Sequence, residues 1–127
     1  MGARELRRAV FDRQEGRCAV TGAPLGDRDG DAWHMHHRRP GSMGGTDRPN
    51  QQRLGNVIGL LARVHNFGAP GLLLDGAVRS VHGSPAWSKP LGLLLSASVD
   101  EPSSVPVRVA GRGFVFLLDD GRIIPVT

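Results

Sequence analysis

Glycine and proline place the strongest limit on what this chain can fold into. The sequence has 18 glycines and 9 prolines, about a fifth of its 127 residues. Glycine raises the entropy cost of ordering the backbone, and proline lacks the amide hydrogen that a helix or sheet uses. The composition therefore predicts short helices and strands joined by many turns, and it excludes a bundle of long helices. A chain of this length is enough for one domain that folds alone.

The charged residues favour an anionic partner. The sequence has 16 lysine and arginine residues against 12 aspartate and glutamate residues, which gives a formal net charge of +4. Every basic residue except Lys89 is an arginine, and the arginine fork matches phosphate oxygens. Nucleic acid is thus the favoured partner, although a GC-rich genome also enriches arginine and explains part of the excess.

No stretch of the sequence has the pattern of a targeting or membrane-spanning segment. The N-terminus lacks the apolar core of a signal peptide, and the longest apolar run, residues 91–99, is too short to cross a bilayer. Cys18 is the only cysteine, which excludes an internal disulfide and predicts a small, buried apolar side chain. We therefore expect a cytoplasmic protein without a membrane partner, and a homodimer is left open.

The polar and apolar pattern predicts one N-terminal helix and several short strands. Residues 3–15 place Leu6, Val10 and Phe11 on one helical stripe, and Gly16 ends that helix. The middle of the chain predicts a strand at 33–37, a glycine turn at 41–45, a strand at 57–61, a short helix at 62–67 and an ambiguous apolar stretch at 72–82. The last thirty residues predict an antiparallel β meander with strands at 105–109, 114–118 and 122–126.

Three of the five histidines lie within four positions, at His34, His36 and His37. Side chains alternate between the two faces of a strand, so His34 and His36 share one face while His37 points the other way. Neighbouring imidazoles on opposite faces can do different chemistry, because one can bind a metal while the next accepts a proton. Alone, the cluster is also typical of an exposed polar strand. We interpret His34 as a strand residue that lies beside the candidate functional site.

The order of residues after this cluster is more specific. The pair His36-His37 is followed by Pro40, then by the glycine turn, then by Asn56 before an apolar triplet, and His65 lies nine positions after Asn56. This order resembles the HNH endonuclease family, of bacterial or phage type, over roughly residues 15–90. Each piece is a weak signal, and the ordered set at these spacings is a strong one.

The resemblance implies an α+β protein with a ββα-metal core, in which two short strands and a helix surround one divalent cation. The N-terminal helix and the C-terminal antiparallel β meander would be additions to this core. Residues 1–99 would form the HNH nuclease domain, and residues 100–127 would form a C-terminal β appendage packed on the same domain.

The resemblance also implies roles for individual residues. His36 stands where the family has its first metal ligand, and His37 stands where it has the general base. Asn56 stands where the family has the residue that orients this base. His65 stands at a further ligand position.

The sequence departs from the family pattern in two places. Some members keep a ligand four positions after the helix histidine, where this chain has Ala69. Residues 78–87 resemble a different ligand motif of the family, so His82 is an alternative or additional ligand to His65. The second departure is Thr21, which replaces the second cysteine of a frequent Cys-x-x-Cys-Gly element and argues against a structural zinc.

These assignments predict a metal-dependent endonuclease that hydrolyses DNA phosphodiester bonds by nicking or by double-strand cleavage. The implied cofactor is one divalent metal ion: Mg²⁺, Mn²⁺, Zn²⁺ or Ni²⁺. Arg38 and Arg39 directly follow His37 and are predicted to contact DNA phosphates. The alternative is a basic DNA-binding or DNA-packaging accessory protein with an inactive HNH-like fold, and a third interpretation is an RNase or toxin nuclease. The intact His37 favours the enzyme, since a DNA-binding protein has no need of a base there.

Overall fold

The computed structural model describes residues 2–40, 51–65, 72–74 and 77–127. In this part of the chain, short helices and three small antiparallel sheets alternate, which is compatible with the predicted α+β class. The glycine turn predicted at 41–45 lies outside the described residues. Across the same described ranges, no helix combines the length and apolar character needed to cross a membrane.

The N-terminal helix, α1, spans Ala3–Arg13 and ends two residues earlier than the sequence predicts. It forms because its apolar positions share one stripe, and Leu6 and Val10 from this stripe are fully buried. The amide of Gly16 donates a hydrogen bond to the carbonyl of Phe11, which closes the end of the helix as the sequence predicts.

The central hairpin consists of β1 (Trp33–His37) and β2 (Val57–Leu61), which pair antiparallel over their full length. Both strands are confirmed as predicted. In this register His36 lies opposite Ile58 and His34 lies opposite Leu60. A short 3-10 turn, Leu54–Asn56, leads into β2.

Two further short helices and a second hairpin follow the central hairpin. The helix α2, Ala62–His65, begins directly after β2, and the rest of the helix predicted at 62–67 lies outside the described residues. The ambiguous stretch at 72–82 contains two paired strands, β3 (Leu72–Leu74) and β4 (Ala77–Arg79). The helix α3, Pro85–Ser88, starts at a proline, whose fixed φ suits the first turn of a helix.

The predicted C-terminal meander is confirmed; its first and third strands are shorter than predicted, and its second strand is shifted by one residue. Its strands are β5 (Val107–Val109), β6 (Gly113–Leu117) and β7 (Ile123–Pro125), paired antiparallel in that order. The buried side chains of β5 and β6 belong to the same apolar cluster as Leu6 and Trp33. Cys18 is also buried in this cluster, as predicted.

Gly92 is required where the segment after α3 passes the start of the meander. Its φ is +74°, and a Cβ atom there would lie 2.0 Å from the carbonyl oxygen of Pro106. We expect Gly92→Ala to lower the free energy of unfolding by at least ~2 kcal/mol, because it combines a left-handed backbone with a backbone clash.

Gly26→Ala is the matched control for this substitution. Gly26 has a φ of +86°, and a Cβ atom there would meet nothing within 4 Å. The alanine at this position therefore carries the conformational penalty alone, roughly 1 kcal/mol. Denaturant midpoints of the two variants measure the difference. Equal midpoints would show that the close approach to Pro106 has no energetic consequence.

Candidate metal centre

Three histidines from three different elements converge on one point. His36 comes from the middle of the central hairpin, His65 is the last residue of α2, and His82 follows β4. The Nε2 atom of His65 lies 3.1 Å from Nδ1 of His36 and 3.1 Å from Nε2 of His82. One nitrogen from each ring falls within 4.8 Å of the others, so these three residues could hold a metal ion. The sequence leaves open whether His65 or His82 completes the site, and the structure brings both to it.

Backbone hydrogen bonds hold the three elements together. The helix α2 follows β2 directly and starts at the Trp33 end of the hairpin, and its last residue, His65, lies against His36. The amide of Val81 donates to the carbonyl of Val64, 2.8 Å away, and each of these residues immediately precedes a site histidine. This bond therefore holds His65 and His82 side by side.

The ring of His36 is oriented by a backbone carbonyl. Its Nε2 atom lies within hydrogen-bond distance of the carbonyl oxygen of Leu93. A carbonyl oxygen only accepts, so Nε2 carries the proton and Nδ1 presents its lone pair to His65 and His82. The amide of Leu95 donates to the carbonyl of Arg38 at 2.7 Å, which ties the Leu93 segment to the end of β1. Such outer hydrogen bonds fix the tautomer of metal-binding histidines.

Burial keeps the three rings neutral. Burial is the larger cause and charge repulsion from neighbouring histidines the smaller one, and together they lower the pKa of both His36 and His65 to about 3. Burial also lowers the pKa of His82. At neutral pH the rings therefore present lone pairs, which is the form that binds a metal.

The spacing of the nitrogens fits a cation held between them. Zn–N bonds of about 2.0–2.1 Å in a tetrahedral site separate two ligand nitrogens by about 3.3 Å. The two separations from Nε2 of His65, both 3.1 Å, are close to this value, and all three nitrogens lie within 4.8 Å of one another. Lone pairs that face one another at such a distance repel unless a proton or a cation lies between them, so the arrangement suits a metal ion.

His36, His65 and His82 form a candidate metal-binding group. His37 lies next to this group, on the other face of β1, and is half-buried. Its Nε2 atom is hydrogen-bonded to Oε1 of Gln52. A charge on the His37 ring lowers the pKa values of His36 and His65, so this ring lies within electrostatic range of both. Gln52 was not predicted. It lies in a polar stretch whose composition is typical of a loop, and the one available signal is that antiparallel pairing brings residues just before β2 close to the end of β1.

Asn56 does not contact the ring that it was predicted to orient. Its Oδ1 accepts a hydrogen bond from the amide of Arg39 at 2.8 Å, and its Nδ2 donates to the carbonyl of Gln51 at 2.9 Å. The side chain is fully buried. Asn56 therefore fixes the backbone that follows His37, and the ring of His37 is held by Gln52.

Arg38 and Arg39 are the two residues predicted to contact DNA phosphates, and the structure places both side chains in the interior. The Arg39 guanidinium donates to the carbonyls of Val99 and Asp100. The Arg38 guanidinium donates to five backbone carbonyls, at N···O distances of 2.7–3.3 Å; the acceptors belong to Gly55, Gly92, Pro102, Val105 and Pro106. Arg38 thus joins the central hairpin to the segments that lead into the meander.

Replacement of Arg38 tests whether its side chain stabilises the fold. We expect Arg38→Ala to lower the free energy of unfolding by at least ~2 kcal/mol, since it leaves several buried carbonyls without a donor. Arg38→Lys should rescue little, because an ammonium group has three donors and no planar fork.

The exposed Arg108 supplies the control, and Arg108→Ala should change the unfolding free energy by less than about 0.5 kcal/mol. An unchanged denaturant midpoint for Arg38→Ala would contradict the structural role of Arg38. If the same variant also reduced the salt dependence of DNA binding, the result would support a phosphate contact instead.

His34 touches the site from the same face as His36. Its Nδ1 atom lies 3.0 Å from Nδ1 of His65, and the two rings meet edge to face, with centroids 5.2 Å apart. The sequence predicts that His34 lies beside the site and assigns no role to it. In the structure, its ring contacts His65 of the metal-binding group.

Comparison with known proteins supplies no relative. A scan against family models, a search of curated proteins and a search of solved structures each found no match to this chain. The residues of the site therefore carry the inference about function.

Proposed function

We propose that this protein is a divalent-metal-dependent endonuclease of the HNH type that hydrolyses DNA phosphodiester bonds. In this proposal β1, β2 and α2 form the ββα-metal core. The observation that carries it is the convergence of His36, His65 and His82, with the half-buried His37 ring at the adjacent strand position. A metal-binding group and a separate imidazole are what metal-assisted phosphodiester hydrolysis requires.

His37 is the general base in this proposal. The Gln52 oxygen accepts a hydrogen bond from Nε2 of His37, so Nε2 carries the proton and Nδ1 is free to take a proton from water. Gln52 therefore selects the reactive tautomer and holds the ring. Asn56 holds the backbone just beyond the ring, which limits how far His37 can move.

His36, His65 and His82 would hold the cation. When bound, it supplies a Lewis acid for the scissile phosphate and for the charge that develops on the leaving 3′ oxygen. An all-imidazole ligand set favours Zn²⁺ and Ni²⁺ over Mg²⁺ and Mn²⁺, because the latter two prefer oxygen ligands. The sequence alone does not separate these four ions.

The positive net charge of +4 also supports the second candidate, a basic DNA-binding or DNA-packaging protein without catalytic activity. A plasmid assay separates the two. Supercoiled DNA should become nicked or linear with Zn²⁺ or Ni²⁺ and stay intact with EDTA. A mobility shift without cleavage in any of the four ions would favour the binding protein. Cleavage of RNA with intact DNA would favour the RNase.

A further inference from the structure

We propose that His34 is a positioning residue that holds His65 in the tautomer that binds the metal. This inference rests on the proposed metal site. Of the five histidines, His34 is the one that belongs neither to the metal-binding group nor to the proposed general base.

The two nitrogens of His65 each face another imidazole. Its Nε2 atom faces His36 and His82, and its Nδ1 atom lies 3.0 Å from Nδ1 of His34. A neutral imidazole has one N–H group. If Nε2 of His65 carries the proton, that proton occupies the space between the three converging nitrogens. With the proton on Nδ1, the N–H group donates to His34, and the lone pair of Nε2 points toward His36 and His82, where a cation would bind.

The fold gives His34 a fixed position for this hydrogen bond. His34 and His36 are two residues apart on the same face of β1, so both rings project toward α2. His34 lies opposite Leu60 in the hairpin, one residue before the end of β2, and α2 begins immediately after that strand. The strand pairing that positions His36 as a ligand therefore also positions His34 as the acceptor for His65.

Two nearly isosteric substitutions isolate the hydrogen bond. The Oδ1 atom of an asparagine lies close to the place of the histidine Nδ1 and accepts, whereas leucine has a similar size and no acceptor. Titration calorimetry with Zn²⁺ should show His34→Leu binding 10–100-fold more weakly than the wild type, in line with the loss of an outer-shell partner. His34→Asn should remain within a few-fold of the wild type, and so should the exposed control variant Arg108→Ala.

X-ray absorption at the zinc edge distinguishes positioning from direct coordination. We expect three imidazole ligands in the wild type and three in His34→Asn. Four imidazoles in the wild type and three in the variant would make His34 a ligand and overturn the positioning role. If His34→Leu fails to fold by circular dichroism, His34→Ala makes the same comparison.

The outcomes separate this inference from the proposed function. If the wild type does not bind Zn²⁺, the proposed metal site fails and this inference fails with it. If the wild type binds Zn²⁺ and His34→Leu binds it equally well, the inference about His34 alone is wrong. Equal weakening in His34→Asn and His34→Leu would also overturn it, because the acceptor would then be irrelevant.

Discussion

Replacing His37 with alanine is expected to lower the rate of DNA cleavage by ~10²- to 10⁴-fold, the usual contribution of a positioned general base. The substitution removes the imidazole whose Nδ1 is free to accept a proton, and it leaves His36, His65 and His82 in place. Zn²⁺ affinity and DNA affinity should therefore stay within a few-fold of the wild type. Single-turnover nicking of a supercoiled plasmid at saturating protein measures the rate, and calorimetry measures the metal.

Gln52→Ala is the companion variant for His37→Ala. It keeps the base and removes the oxygen that holds its ring, so its cleavage rate should fall less than that of His37→Ala. Cleavage by His37→Ala within a few-fold of the wild type would remove His37 from the mechanism. An equal loss of DNA affinity and cleavage would assign His37 to substrate contact instead of proton transfer.

The strands and turns of this protein follow closely from local sequence. Alternating valines and the Asp-Gly turn predict the meander, and the apolar run after Asn56 predicts β2, because these signals act between near neighbours. The stretch at 72–82 is ambiguous for the same reason. Its leucine run suits a buried strand or a helix equally, and only the pairing of Leu72–Leu74 with Ala77–Arg79 decides between them.

The metal-binding group could be predicted only in part. In the HNH-like pattern, His36 belongs to the histidine pair and His65 lies nine positions after Asn56, whereas His82 has only its local context. The structure brings all three together, and a backbone hydrogen bond from Val81 to Val64 lies directly beside His82 and His65. That bond links residues seventeen positions apart, and no periodic pattern signals it.

The arginines and Gln52 show the limit of sequence reasoning at this site. An arginine after a catalytic histidine is expected at the surface, since arginine is rarely buried unless it is paired. The five carbonyls that accept from Arg38 lie 17–68 positions away in the sequence. Their convergence is a property of the packed fold, as is the contact of Gln52 with His37.

Removal of a metal ligand is the most severe test of the site. We expect His36→Ala to weaken Zn²⁺ binding by more than ~10²-fold, beyond the roughly 10–100-fold that an outer-shell partner typically contributes, and to abolish cleavage at ordinary metal concentrations. His36 is the candidate ligand that is supported both by its position in the HNH-like sequence pattern and by its hydrogen bond to Leu93. Since its ring is buried, His36→Leu serves as a second variant that fills more of the space left by the ring.

The expected order among the ligand variants follows from how each ring is held. His65→Ala should weaken Zn²⁺ binding as much as His36→Ala, because its Nε2 lies 3.1 Å from both other ligand nitrogens. His82 is the most exposed of the three, and His82→Ala should lose less. Stability provides an independent measurement: Zn²⁺ at 100 times the wild-type Kd should stabilise the wild type by about 2.7 kcal/mol and His36→Ala by less than about 0.4 kcal/mol. If His36→Ala keeps both the wild-type affinity and this stabilisation, the assignment of the metal centre is wrong. If His82→Ala alone keeps them, only His82 leaves the ligand set, and His36 with His65 remains the pair on which hydrolysis depends.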